Sequence, residues 1–233
     1  MSIRINLLPV GNGDCIHIRF EDSRGIHNIV IDSGPASAKR MFRDLLSRIR
    51  SAGEVVDLLC FTHIDNDHTK AAAHVFSDRT VDFSFIRQVW LNTGEIPSFH
   101  TVASGSANET LMTVDCALHL YDALIKREIP VRGEILAGTY LTIGEAVIRV
   151  ISPGKEQHNC FMDYWNAKYR DVDMGVGDDT SPTNGDSIAF YLELEDGYMA
   201  FLGDAHVNAL MEGMKQELPG KKCLLAKLAH HGG

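Results

Sequence analysis

No apolar run in this sequence approaches the ~20 residues that a membrane-spanning helix needs. The longest, "DLLCF" and "CLLAKLA", are strand-sized. The N-terminus, "MSIRINLLPVGNGD", lacks the basic start, the long apolar stretch and the small-residue cleavage site of a secretory signal. A cytoplasmic protein with no membrane association is expected. Cysteine is sparse and poorly spaced for structural chemistry: Cys15, Cys60, Cys116, Cys160 and Cys223 are odd in number and never form C-x-x-C. That excludes a disulfide framework and a zinc knuckle, and most should be small buried apolar residues. Positive charge is in deficit, with 22 Lys and Arg against 31 Asp and Glu and a formal net charge of -9. Passive coating of nucleic acid, which needs clustered cations, is disfavoured. A cluster of acidic metal ligands would account for part of that charge, and bound divalent ions would reverse its sign locally. The sequence also lacks internal repeats and low-complexity tracts.

What is present is an ordinary globular composition: 233 residues, 45% hydrophobic and 23% charged, enough for one large domain or two small ones. Three strand-like runs, "IRINLLPV", "CIHIRF" and "HNIVIDSG", are broken by "GNGD" and "EDSRG", which predicts an antiparallel meander. "SAKRMFRDLLSRIRSAG" places Met41, Leu45, Leu46 and Ile49 at helical spacing and ends at Gly53. "VVDLLCF" reads as a strand buried on both faces. Helices are predicted over 69–77, 108–128 and 205–217, and strands at "FIRQVWLN", "TYLTI", "AVIRVIS" and "KCLLAKLA". A hairpin should turn at "EDG" in "DSIAFYLELEDGYMAFLGD". Residues 153–185 show no clean period and read as a long loop. Two mixed sheets with helices on their outer faces satisfy this order.

The chemistry gathers at strand ends. "THIDNDH" sets His63, Asp65, Asp67 and His68 directly after a buried strand, where a tight loop turns all four side chains toward one point. Imidazole and carboxylate are ligands of Zn, Mn and Fe. Turn residues and helix caps are the bland alternative, with Asp67 or Thr62 capping the next helix; caps account for one aspartate but not for two flanking histidines. "AFLGDAH" ends a second strand at Asp204, which taken alone reads more readily as an N-cap. "LLAKLAHHGG" ends a third at His230 and His231. Three such clusters in one chain carry more weight than any one, because strand C-terminal ends converge on a common rim.

These residues resemble the metallo-β-lactamase superfamily. His63, Asp65, Asp67 and His68 look like its H-x-[HD]-x-D-H signature, "NIVIDSG" with Asp32 its first motif, Asp204 its bridging aspartate and "AHHGG" its late histidine motif. Within the superfamily the likeness is closest to the hydrolase domain of ComEC-type DNA-uptake proteins, through "VGNGDC", Asp65 in place of a second histidine, "TNGDSIAFYLELEDGYMAFLGDA" and the stretch from Lys227 to Gly232.

The resemblance implies an αββα sandwich, a single hydrolase domain over 1–233, with one or two divalent ions, Zn or Mn, between the sheets. His63 and Asp65 would hold one ion, Asp67 and His68 the second, Asp204 would bridge them, and His230 or His231 would complete the shell. Asp32 would orient ligands or water from behind. A further histidine in the middle of the chain has the candidates His100, His119 and His158, while His206 reads as a helix residue. The family pattern continues past H-H-G with a strand and a helix that this sequence does not include, so a longer native chain or an incomplete site is expected.

The implied chemistry is hydrolysis by a hydroxide formed on two ions roughly 3.5 to 4 Å apart, with Asp67 orienting it and accepting a proton. The oxygen donor of Asp65 tilts the metal preference toward Mn. A phosphodiesterase or nuclease acting on DNA is the leading expectation, with Asn184, Lys227 and Lys70 as substrate contacts and a protein partner as a further prospect. Lys70, Lys227 and Arg170 could contact phosphates, but each taken singly reads more readily as an ordinary surface cation. Tyr164, Trp165 and Tyr169, interleaved with Lys168 and Arg170, suit either stacking on bases or packing over the core. An ester, lactone or amide hydrolase and a metal-poor binding or assembly domain stay open.

Overall fold

The structure, a computed structural model, describes residues 1–94, 113–169, 181–217 and 219–230. The chain divides into two compact units, Met1–Gly133 and Glu134–Gly233.

In the first unit the expected meander forms: β1 (Ser2–Leu7), β2 (Ile16–Asp22) and β3 (Gly25–Ile31) pair antiparallel. β4 (Leu58–Cys60), β5 (Val89–Trp90) and β6 (Val131–Arg132) add on parallel, giving one mixed sheet in the order β1-β2-β3-β4-β5-β6. β4 is apolar throughout because it is buried with strands on both sides, as a parallel strand must be. β6 has two residues, too few to show a period in the sequence.

Each parallel connection carries a helix. After a short turn of 3-10 helix, α1 (Lys39–Ser51) joins β3 to β4 and buries Phe42, Leu45, Leu46 and Ile49. α2 (Asn66–Phe76) follows β4, and α3 (Thr113–Ile125) precedes β6. α2 packs on α3, and its buried Ala71, Ala72 and Ala73 offer little bulk to hold two backbones apart. The expected helix over 108–128 is thus described from Thr113; its first residues lie outside the described set.

The second unit is a five-stranded mixed sheet. β7 (Tyr140–Ile143), β8 (Ala146–Ser152), β9 (Ala189–Glu193) and β10 (Tyr198–Phe201) run antiparallel, and β11 (Cys223–Lys227) joins β10 parallel. The β9–β10 hairpin turns at the expected "EDG", closed by Leu194 N–H donating to Gly197 O at 2.8 Å.

One expectation is overturned here. Residues 153–185 are not one loop: α4 (Lys155–Tyr169) and the single turn α5 (Pro182–Gly185) occupy most of the described part. α4 is held by an i, i+4 pair, Phe161 and Trp165, both buried with ring centroids 6.0 Å apart. Phe161 and Trp165 are the only buried apolar side chains among the described residues of α4, too few for a visible stripe. Trp165 is therefore core packing and no platform for bases. Arg170 and the side chains of Lys168 and Tyr169 lie outside the described residues. α6 (Val207–Glu217) connects β10 to β11 and packs on β8, where Gly213 brings it close: a Cβ there would stand 1.9 Å from Ile151 O.

Two mixed sheets flanked by helices are the α/β composition expected from the sequence.

Candidate metal centre

β3 and β4 pair parallel with Ile31 opposite Cys60, so their C-terminal ends emerge side by side. Asp32 leaves β3 with φ +56, a left-handed conformation that aspartate tolerates better than bulkier residues, and donates its N–H to Cys60 O at 2.8 Å. Its side chain is fully buried and accepts three hydrogen bonds. Thr62 N–H donates to Oδ1 at 2.8 Å, Thr62 Oγ1 to Oδ2 at 2.8 Å, and His68 Nδ1 to Oδ2 at 2.9 Å.

These bonds settle proton positions. A hydroxyl has one proton, and Thr62 gives it to Asp32, so its oxygen accepts from His63 Nδ1 at 3.0 Å. The line therefore runs His63 Nδ1–H to Thr62 Oγ1–H to Asp32 Oδ2, with His68 Nδ1–H arriving from the other side. In the neutral rings both protons sit on Nδ1 and both lone pairs on Nε2.

Each Nε2 stands beside one motif carboxylate. His63 Nε2 lies 3.5 Å from Asp65 Oδ2, and His68 Nε2 lies 3.8 Å from Asp67 Oδ2. The two imidazole centroids are 4.2 Å apart. The motif is only partly a loop, contrary to expectation: α2 begins at Asn66, three residues earlier than the predicted 69, so Asp67 and His68 occupy its first turn. Asp65 is the N-cap residue but makes no side-chain capping bond, and Thr62 is spent on Asp32. The capping alternative therefore fails for both expected residues: Asp67 lies inside the first turn and Thr62 bonds Asp32. His63 Nε2 is a buried atom with no hydrogen-bond partner among the described residues. Leaving such an atom unsatisfied costs about 1–3 kcal/mol, and an electron-pair acceptor such as a divalent cation fits a bare imidazole lone pair flanked by carboxylates.

The "GNGD" turn contributes a residue the sequence reading passed over. Gly13 (φ +84) packs so closely on α2 that a Cβ there would stand 1.8 Å from Asp67 O. Asp14, next to it, brings a carboxylate oxygen within 4.8 Å of ligand atoms of Asp32 and His68. The neighbouring Cys15 thiol is pushed up to about 12 by burial and by the charges of Asp32 and Asp14, and Cys60 is raised for the same first reason, so neither offers a thiolate. Ser33 fastens α2 from below: its N–H and Oγ both donate to His68 O, at 2.8 and 2.9 Å, and its Oγ accepts from Ala72 N–H at 3.0 Å.

Residues 9–81 match the Metallo-beta-lactamase superfamily. The matched stretch runs from the "GNGD" turn through α2 and contains every residue of the hydrogen-bonded line. No curated protein matches the sequence. Similar solved structures include a Cronobacter sakazakii metallo-beta-lactamase with a HARLDQ motif (15% identity, 91% of this chain and 61% of that chain, TM-score 0.41). The flavodiiron protein of Giardia intestinalis is similar over 82% of this chain and 32% of its own, at 15% identity and TM-score 0.41. MEM-A1, a subclass B3 metallo-beta-lactamase from a soil metagenome library, is similar over 98% and 76%, at 13% identity and TM-score 0.46. The chain thus spans less than two thirds of the first two.

Other residues singled out in the sequence are placed as follows. Lys70 is no surface cation: it is buried on α2, and its charge reaches the thiol of Cys116 on α3. In the second unit Asp204 follows β10, is buried, takes its N–H to Ser187 Oγ at 3.0 Å and has Lys227 Nζ 4.0 Å from Oδ1. Lys227 Nζ and His230 N–H both donate to Gly203 O, at 3.4 and 3.1 Å, and His230 itself is exposed with φ +47. His231 and His100 lie outside the described residues. Asn184 is buried in α5. His119 is half-buried on α3. His158, expected in a loop, sits on α4 with Nδ1 2.8 Å from Asp186 Oδ1, and that carboxylate raises its pKa against the opposing effect of burial.

Proposed function

We propose that this chain is a metal-dependent hydrolase of phosphodiesters, a phosphodiesterase or nuclease, that takes one or two divalent ions, Zn or Mn, at the His63–His68 segment. The observation that carries the reading is the line from His63 through Thr62 and Asp32 to His68. It commits both Nδ1 protons to the protein interior and turns two lone pairs toward Asp65 and Asp67. Fixing the tautomer through the far nitrogen is how proteins prepare imidazoles for metals.

When bound, a divalent ion supplies Lewis acidity and a water acidic enough to ionise near neutral pH. The chain's own groups do the rest. Asp67 is partly exposed, with 37% of its side chain accessible, and stands in the first turn of α2, where its carboxylate accepts a proton from the attacking water. Asp32, buried behind the histidines, keeps their orientation through Thr62 and through His68 Nδ1–H. The N-terminal dipole of α2 points at the same place and favours negative charge developing there. The oxygen donors of Asp65 and Asp67 favour Mn over an all-histidine preference for Zn.

The phosphodiester class, DNA among its members, is supported by the resemblance of "VGNGDC" and of Lys227 to Gly232 to ComEC-type hydrolases. Elemental analysis of protein purified without chelator, beside His68→Ala, tests the metal. One or two equivalents of Mn or Zn, lost in the variant, are expected; none after supplementation overturns the reading. A substrate panel in Mn, bis(p-nitrophenyl) phosphate and DNA against carboxylic esters, lactones and amides, tests the class. Turnover of esters alone would move it.

A further inference from the structure

The chain is acidic as a whole, yet α1 is not. Its sequence "KRMFRDLLSRIRS" buries Phe42, Leu45, Leu46 and Ile49 and leaves Lys39, Arg40, Arg43, Arg48 and Arg50 exposed, opposed on the helix by Asp44 alone. Composition averages this away, because the helical period brings Lys39, Arg40, Arg43 and Arg50 within roughly 100° of arc, with Arg48 off to the side. The helix starts one 3-10 turn after the Asp32–Gly34 loop and runs ~20 Å, at 1.5 Å per residue, away from it.

At the far part of α1 a cleft of about 340 Å³ opens against the segment before β5. Arg43, Ser47 and Arg50 line one wall, and Phe83 and Phe85 stand on the other. Arg43 makes no close ion pair among the described residues, but its charge reaches the Asp78 carboxylate, which Thr80 chiefly, then Arg127 and Arg43, holds below the usual range. Arg50 contacts Asp82 at 3.2 Å, but both side chains are about half exposed, so that pair holds weakly and exchanges readily for another anion. Phe83 is fixed from behind by Phe76, 4.7 Å between centroids, and by the Arg127 guanidinium over its ring at 5.0 Å. Phe85 is only half-buried, its ring 6.4 Å from that of Phe83, and leaves an aromatic surface at the cleft.

Two guanidiniums two helical turns apart, with a hydroxyl between them and an aromatic surface opposite, are the elements that hold a single strand: cations on phosphates, a ring under a base. We propose that the cleft between α1 and residues 81–85 binds single-stranded nucleic acid, and that the basic face of α1 continues this track toward the Asp32 loop. The proposal deepens the phosphodiesterase reading and rests on it for substrate class, while the binding is measured without turnover.

The test is fluorescence anisotropy of a labelled 20-nucleotide oligo-dT with the whole chain in EDTA across a salt series. Arg43→Ala/Arg50→Ala should weaken binding at least about tenfold at low salt and lower the salt slope by about 1.4, at about 0.7 per contact for single strands. Hydrolysis of bis(p-nitrophenyl) phosphate should be unchanged, since neither arginine belongs to the metal centre. Ser47→Glu, which places a carboxylate between the arginines without removing either, should weaken binding similarly. Unchanged affinity and slope in both variants overturn the proposal, as does poly-glutamate competing as well as unlabelled oligonucleotide. Binding that persists while bis(p-nitrophenyl) phosphate is not hydrolysed supports the cleft and sinks the hydrolase reading alone.

Discussion

Nδ1 of His68 lies 2.9 Å from Oδ2 of Asp32, and both side chains are completely buried. The bond spans 36 residues of sequence and determines which nitrogen of His68 faces the motif carboxylates. Replacing Asp32 by Asn keeps a residue that accepts φ +56 but removes the charge and one acceptor. Metal affinity should fall about 10–100-fold, the usual loss for such a supporting group. A competitive chelator titration measures it, and an affinity equal to wild type would show that His68 is oriented by something else.

Thr62 makes a separable prediction. Thr62→Val keeps shape but breaks both the bond to Asp32 and the acceptor for His63 Nδ1, and should cost about 1–3 kcal/mol of stability. Thr62→Ser should restore most of it. Nitrogen-15 spectra of the imidazoles report the tautomer directly. A His63 that keeps its Nδ1 proton in the valine variant would contradict the relay.

Asp67→Asn should abolish turnover and leave the fold intact, because the side chain stands partly exposed in the first turn of α2 and not in the core. Circular dichroism and a thermal melt verify the fold. Full activity in a folded variant would remove Asp67 from the chemistry.

Gly13→Ala and Gly11→Ala differ by design. Both glycines have φ near +85, so alanine strains either, at about 1 kcal/mol. Only at Gly13 does the new Cβ also meet Asp67 O, at 1.8 Å, whereas at Gly11 nothing lies within 4 Å. Gly13→Ala should therefore lose stability well beyond Gly11→Ala and displace the start of α2. Equal melting temperatures would argue against that close approach.

In the second unit, Asp186 raises the pKa of His158 above its usual 6.5. A raised folded pKa means that the charged pair stabilises fully below pH 6.5 and that this contribution is lost as pH rises through the folded value. Urea melts between pH 5 and 9 should show stability falling across that window. Asp186→Asn should flatten the slope; an unaltered slope would assign it to other groups.

Much of the architecture was legible locally. The meander, the apolar stripe of α1, the "EDG" hairpin and the polar cluster after "DLLCF" each depend on residues within a few positions of one another, where period and turn chemistry act. α4 was not, because two aromatic anchors make no stripe and their burial depends on the elements packed against them. Nor was the burial of Lys70, which lies on α2, a helix packed against α3.

The sequence by itself determined which residues could serve as ligands: His63, Asp65, Asp67 and His68 are crowded together by covalent proximity alone. Only the tertiary structure decided how they are held. Parallel pairing of β3 with β4 set Asp32 beside Thr62 and His68, and the buried carboxylate then chose the proton positions of both rings, since no local rule relates residues 30 and 36 positions apart. The same holds for α1, where helical winding, invisible in a net charge of -9, gathers Lys39, Arg40, Arg43 and Arg50 on one exposed side.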